Sequence, residues 1–177
     1  MTNLCTKIDS NFSYDGSFIE KLNFRKKSEI TFEYISDFRS TKILRTFISE
    51  LSQKLYIDKL WERRLILIVD ELNNNAIEYW TKPWDYNRLT VYIDMVDNNL
   101  NLKIEVEDCW NWALPKTAKE MMQLREKKIK NGFNNNSIRW RWLFMIIDKL
   151  VDKLYFKDSP KWWLIVGIEK NLIIEAK

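Results

Sequence analysis

The stretch LILIVDELNNNAIEY, Leu65 to Tyr79, combines an apolar helix face with polar residues that interrupt it. Its apolar residues recur at spacings of three and four, which places them on one face of an α-helix. We expect this helix to run from about Leu60 to Tyr79 and to turn that face toward the core. The residues of the face are Leu65, Ile68, Val69, Leu72 and Ala76.

Two polar residues of this helix are candidates for a ligand site. Glu71 and Asn75 are four residues apart, so they share one side of the helix at the edge of the apolar stripe. An ordinary solvated helix edge has the same pattern. If both side chains face a pocket, the Asn75 amide oxygen suits Mg²⁺, which prefers oxygen ligands. The Glu71 carboxylate could then deprotonate a hydroxyl group.

A strand further along the chain ends in a third candidate. From Leu100 to Asp108, apolar residues alternate with polar ones, as in a strand with one face in the core. Asp108 continues the apolar phase, and a buried carboxylate is costly unless something donates a hydrogen bond to it. It is either a strand-end residue that caps a turn or an acceptor for a ligand. The preceding stretch, Leu89 to Val96, is expected to pair with this strand as an antiparallel hairpin.

The remaining patterns predict an α+β fold, an α/β two-layer sandwich with about three helices on one face of a mixed, mainly antiparallel sheet. Residues 1–28 are expected to form an N-terminal arm of uncertain structure, and residues 29–177 a single domain. The other predicted strands are 29–35, 154–157 and 164–169, with 172–175 as an extension. The other predicted helices are 37–55, 116–130 and one that carries Leu143 to Leu154 in register.

Composition excludes several classes of protein. The chain has 177 residues, of which 46% are apolar and 31% charged, as in a folded globular protein. A net charge of +4 is too small for the basic stripe of a nucleic-acid-binding protein. No apolar run reaches the roughly 18 residues that a membrane span needs. With no secretory signal and two distant cysteines, the expected location is cytoplasmic. The absence of histidine excludes Ser-His-Asp catalysis and imidazole metal sites.

The numbers of glycine and tryptophan are unusual. There are only three glycines but nine tryptophans, and together they reach about the number of glycines that ordinary usage of ~7% would give.

Four segments together resemble the GHKL (Bergerat-fold) ATPases, and most of all the branch of anti-sigma-factor serine/threonine kinases. The resemblance covers roughly residues 29–170. Glu71 to Asn75 match the N box, Asp108 matches the aspartate of the D-x-G-x-G box, and Arg139 to Leu143 match the glycine-rich box before the last helix. The segments are LILIVDELNNNAIEY, EVEDCWNWA, SIRWRWLFMIIDKLVDKLYF and KWWLIVGIEK.

The resemblance implies an ATP and Mg²⁺ site beneath a lid of about residues 113–139. Asp108 would accept a hydrogen bond from the adenine amino group, Asn75 would hold Mg²⁺, and Glu71 would act as the catalytic base. The loop from Arg139 to Leu143 would bind phosphate through its backbone N–H groups, with Arg139 or Arg141 neutralising charge. The resemblance also implies a sigma factor and an antagonist protein as partners. Proteins of this branch usually form homodimers, so a homodimer is a further expectation.

The departures from the family are systematic, because tryptophan stands where the boxes have glycine. These positions are Trp110 and Trp112 in the first box, Trp140 and Trp142 in the second, Trp80 after the N box, and Trp162-Trp163 before the last strand. Glycine reaches positive φ and lets the backbone approach a phosphate, which an indole side chain prevents. We hypothesise that the gene uses UGA for glycine and that the printed chain reads this codon as tryptophan. Trp61 fits no glycine box.

Three other functions remain open. The chain could be a nucleotide-free or degenerate relative that acts by protein contact alone. It could be a histidine-kinase-type ATPase domain whose acceptor lies on a separate protein. Tryptophans that stack on single-stranded nucleic acid are a weaker alternative, because these tryptophans coincide with the glycine boxes rather than with alternating strand positions. Leu164 also departs from the family, which commonly has a threonine there that helps to hold adenine.

Overall fold

The computed structural model of the protein describes residues 2–9, 11–20, 27–80, 85–108, 117–131, 147–160 and 164–174. In this part of the chain, helices pack on one face of a six-stranded mixed sheet. The predicted α+β class is therefore confirmed, and its two-layer form is consistent with this packing. The particular Bergerat arrangement stays a prediction.

The sheet contains one parallel pair of strands at its edge. Its strand order is β1-β2-β3-β4-β6-β5, and β1 runs parallel to β2 while every other neighbouring pair is antiparallel. The strands are β1 (Thr2–Ile8), β2 (Ser28–Ile35), β3 (Tyr86–Val96), β4 (Asn99–Glu107), β5 (Lys153–Asp158) and β6 (Leu164–Ile173).

Two long helices, α2 and α3, follow one another and pack together. Aspartates cap both: the Asp37 carboxylate accepts from the Arg39 N–H at 2.8 Å, and the Asp58 carboxylate accepts from the Leu60 N–H at 2.8 Å. The helices are α1 (Ser17–Glu20), α2 (Phe38–Lys54), α3 (Lys59–Asn75), α4 (Ala118–Asn131) and α5 (Asp148–Leu150), and a π-helical turn (Ala76–Trp80) continues α3.

The core lies between these helices and the inner face of the sheet. Every residue of the predicted apolar face of α3 is at most 2% exposed, so that prediction is confirmed. Phe32 of β2 meets Phe47 of α2 edge to face, with the ring centroids 4.7 Å apart. Among the described residues, no helix is both long enough and apolar enough to cross a membrane.

The outer face of the sheet is polar, and several of its charges form ion pairs. The Arg88 guanidinium on β3 contacts Glu33 on β2 and Glu107 on β4, each at 2.8 Å. The Glu105 carboxylate accepts from the Tyr155 hydroxyl at 2.6 Å. The Arg88 contacts join neighbouring strands, and the Tyr155 contact reaches across β6 to β4. Together they satisfy the carboxylates of Glu105 and Glu107, which are each 8% exposed.

Strand β1 lies within the predicted N-terminal arm, whose structure the sequence leaves uncertain. Two local predictions need correction. Leu154 belongs to β5 instead of the preceding helix, since β5 pairs with β6 from Lys153 onward. The strand predicted to end at Glu169 continues without a break to Ile173.

Candidate functional site

The inner face of the sheet changes from apolar to polar at one end. The apolar phase of β2 ends in Tyr34, and Tyr34 is paired in register with Asn87 of β3. Arg88 of β3 pairs in turn with Glu107 of the next strand, β4. Because β3 and β4 are antiparallel, the next residues at this end, Asn87 and Asp108, are also neighbours. Tyr34, Asn87 and Asp108 are at most 4% exposed. With strands about 4.8 Å apart, this polar row spans about 10 Å.

The carboxyl-terminal end of α3 lies over this polar row. The Tyr34 hydroxyl donates a hydrogen bond of 2.5 Å to Asn73 Oδ1, and both residues are fully buried. Directly after Asn75 the helix changes to the π-helical turn Ala76–Trp80. Such turns are rare and occur often at functional sites.

Asn75 is buried on the edge of α3 that also carries Glu71. At about 100° per residue, the two side chains are about 40° apart around the helix. Asn75 is 4% exposed, and its Nδ2 has no hydrogen-bond partner among the described residues. A buried amide nitrogen of this kind ordinarily has a partner, so a ligand or an ordered water is the expected one. Glu71 is half-buried.

Asp108 is held against the first residue of β6. The Leu164 N–H donates to Asp108 Oδ1 at 3.0 Å, and the Asp108 N–H donates to the Leu164 carbonyl at 3.2 Å. Burial raises the pKa of the Asp108 carboxyl from 3.8 to about 7; the Leu164 N–H lowers it, and the charge of Glu107 raises it further. Near neutral pH both protonation states of this carboxyl are therefore populated, so it can accept or donate a hydrogen bond.

The described part of the predicted lid is helix α4. Thr117 and Glu120 form a capping box, in which the Glu120 N–H donates to Thr117 Oγ1 at 3.2 Å and the Thr117 N–H donates to Glu120 Oε2 at 2.8 Å. The Ala118 N–H donates to Asp158 Oδ1 at the end of β5 at 2.7 Å. Met121 is fully buried in the core. This segment is thus anchored at its start.

The other predicted site residues lie outside the described residues. They are Trp110, Trp112, Arg139, Trp140, Arg141, Trp142 and Leu143. Of the predicted set, the described residues Glu71, Asn75 and Asp108 belong to one end of the sheet and the helix above it.

The residues present fit an ATP–Mg²⁺ complex in their chemistry. The Asn75 side chain offers an amide oxygen, and Mg²⁺ is usually held by one or two protein oxygens together with phosphates and water. Its unmatched atom is the donor Nδ2, which suits a phosphate oxygen and not the cation. Asp108 offers a buried acceptor of the kind that orients a flat polar ligand. Among the described residues, no group of three or more Cys, Asp and Glu side chains is placed to hold a metal ion.

Sequence reasoning missed three members of this cluster: Tyr34, Asn73 and Asn87. The signal for Asn87 was present, because it extends the apolar alternation of β3 just as Asp108 extends that of β4. Tyr34 likewise continues the alternation of Ile30 and Phe32 on β2. Its hydrogen bond to Asn73 has no local signal, because it joins residues 39 positions apart in the chain.

No protein-family model matches the chain, and no curated protein is significantly similar to it.

Proposed function

We propose that the protein is an ATP-binding anti-sigma regulatory factor with serine/threonine kinase activity. One observation carries this proposal: the buried Asn75 amide and the buried Asp108 carboxyl, which stand at two box positions of the resembled family, belong to the same polar end of an otherwise apolar core.

In this proposal each residue has a distinct task. Asp108 accepts a hydrogen bond from the adenine amino group, and Asn75 Oδ1 holds Mg²⁺, which neutralises phosphate charge when bound. Glu71 takes the proton of a serine or threonine hydroxyl on the antagonist protein. The hydroxyl oxygen then attacks the γ-phosphorus, and the bond to the β-phosphate oxygen breaks. The Arg139 to Leu143 loop binds phosphate through its backbone.

The test is a calorimetric titration of Mg-ATP into two versions of the chain. One version has the printed sequence, and the other has glycine at positions 110, 112, 140 and 142. The glycine version is expected to bind Mg-ATP, and its Asp108→Asn variant is expected to bind at least about tenfold more weakly, as the loss of a buried hydrogen bond to the adenine amino group requires. Failure of the glycine version to bind nucleotide would contradict the proposal.

A second measurement separates catalysis from binding. Glu71→Gln is expected to leave Mg-ATP affinity within about twofold while reducing ADP formation at least about a hundredfold, the usual contribution of a general base. Glu78→Gln, an exposed carboxylate on the following turn, is the matched control and should change neither quantity.

A contact-only protein is the second candidate function. It is favoured by the engagement of Asp108, one of whose oxygens already accepts from the Leu164 N–H while burial keeps the carboxyl partly protonated near pH 7. Under this alternative, neither version of the chain binds Mg-ATP, and the polar end of the core has only a structural role.

A further inference from the structure

The hydrogen bond between Tyr34 and Asn73 connects the sheet to the last turn of the helix that carries Asn75. The Tyr34 hydroxyl donates to Asn73 Oδ1 at 2.5 Å, and both residues are fully buried. A neutral hydrogen bond between fully buried groups holds them in one geometry, because bulk solvent cannot reach them to replace either partner.

This bond acts at the point where α3 changes to a π-helical turn. The Asn73 carbonyl accepts from the N–H of Ala76, the first residue of that turn. Asn75 therefore lies between two anchored residues, with the Asn73 side chain fixed to β2 and the Asn73 carbonyl fixed to the start of the turn. A shift of Asn73 would move the Asn75 backbone with it.

The positions of the two asparagines around α3 determine which motion of the helix the Tyr34–Asn73 hydrogen bond resists. Asn73 and Asn75 lie on opposite edges of the apolar stripe, about 200° apart in helical angle. A hydrogen bond at one edge resists rotation of the helix about its axis, and such a rotation would turn the Asn75 amide away from the site. Both asparagines are at most 4% exposed, so neither side chain can adjust by moving into solvent.

We propose that Tyr34 is a positioning residue that acts through Asn73 to fix the Asn75 amide in its metal-holding orientation. The part of this inference that concerns Mg²⁺ rests on the proposed function. The part that concerns the helix end stands on the geometry alone, and the two parts are tested by different measurements.

The experiment compares three variants of the chain that has glycine at positions 110, 112, 140 and 142. Tyr34→Phe removes the hydroxyl. Tyr34→Phe combined with Asn73→Leu replaces both partners by apolar groups of similar shape, which restores stability without restoring the link. Tyr155→Phe is the matched control, because it removes another buried tyrosine hydroxyl that donates to a side-chain oxygen, but on the outer face of the sheet.

The first readout is amide hydrogen exchange at residues 76–80 without nucleotide, compared with exchange in strand β4 of the same sample. Both Tyr34 variants are expected to accelerate exchange at 76–80 about tenfold relative to β4. Tyr155→Phe, whose partner Glu105 lies in β4, is expected not to accelerate exchange at 76–80 relative to β4. Equal acceleration of 76–80 and β4 in the Tyr34 variants overturns the inference whatever the protein binds. If Tyr34→Phe does not fold, the double variant decides.

The second readout is the ratio of ATP affinities with Mg²⁺ and with a chelator. Both Tyr34 variants are expected to lose about tenfold in this ratio, and Tyr155→Phe to keep it, because loss of stability alone lowers both affinities together. An unchanged ratio, with nucleotide binding intact, removes the metal part of the inference. Absence of ATP binding by the parent chain refutes the proposed function and with it the metal part, while the exchange measurement still decides the rest.

Discussion

The Asp108 carboxyl makes stability depend on pH in a direction opposite to that of most aspartates. Its pKa is about 7 in the folded protein against an ordinary 3.8, so the unfolded chain ionises first. Between about pH 4 and pH 7 the unfolded state holds fewer protons than the folded state, and the free energy of unfolding falls as pH rises. Above about pH 7 the full loss, on the order of 4 kcal/mol, persists.

Asp108→Asn should remove this dependence. We expect its stability advantage over the parent chain to grow by about 2–3 kcal/mol between pH 5 and pH 8, measured by urea unfolding at both values. The comparison between the two chains isolates Asp108 from the other carboxyls, whose contributions are the same in both. A difference that does not vary with pH would show that the carboxyl is not desolvated in the folded state.

Gly167 is a position where only glycine fits. A Cβ atom on this residue would lie 2.2 Å from Tyr155 Cζ, because the Tyr155 ring lies across Gly167 and its hydroxyl bonds to Glu105. Gly167→Ala should therefore destabilise the protein by about 2 kcal/mol or more, measured by thermal or urea unfolding. In a Tyr155→Ala background the same substitution should have little effect, and a penalty that persists there would rule out the steric explanation.

Trp61 differs from the tryptophans at the box positions. Its half-buried ring packs against the core, with the Arg64 guanidinium 4.8 Å and the Lys170 ammonium 4.7 Å from the ring centroid. Sequencing of the gene should give UGG at codon 61 and UGA at codons 110, 112, 140 and 142. UGG at those four positions would refute the recoding hypothesis.

At the scale of one element, the start of α3 depends on a single cap. The Asp58 carboxylate accepts from the N–H groups of Leu60 at 2.8 Å and Trp61 at 2.9 Å. Asp58→Ala should cost about 1 kcal/mol of unfolding free energy, whereas Asp58→Asn, which also caps well, should cost little. Equal losses in the two variants would mean that the charge of Asp58 matters and its hydrogen bonds do not.

The two ends of α3 are secured in different ways. The start is held by a local cap that the sequence can reveal, since the N–H groups that donate to it are two and three residues away. The end is held by Asn73 and Tyr34, which lie on different elements. The helix that carries the candidate site is thus anchored at both ends, and only the tertiary contact lies next to the site.

At the scale of the whole molecule, strand β1 completes the sheet beyond β2. Ile8 is 1% exposed and belongs to the core, whereas Asn3 on the same strand is exposed. Ile8→Ala should destabilise the whole domain by about 2–4 kcal/mol, and Asn3→Ala by less than about 0.5 kcal/mol, measured by unfolding. If both substitutions change the free energy of unfolding by an equally small amount, β1 does not contribute to the stability of the domain, and residues 1–28 are only an N-terminal arm.

Local periodicity was enough to predict α3, the hairpin of β3 and β4, and the phase that turns Asp108 inward. These features follow from spacings of 3.6 and 2 residues within one segment, so the residues that decide them are neighbours in the chain. The same spacing identifies Glu71 and Asn75 as residues on one side of a helix. The chemistry offered by the candidate site could therefore be proposed from the sequence.

Tertiary structure alone decided which groups meet. The parallel pairing of β1 with β2, the hydrogen bond from Tyr34 to Asn73 and the contact of Asp108 with Leu164 join residues that are distant in sequence. No local pattern encodes such contacts, because they depend on the order of strands in the sheet and on how helices pack over it. Burial, which sets the pKa of Asp108, likewise exists only once the sheet and helices are assembled.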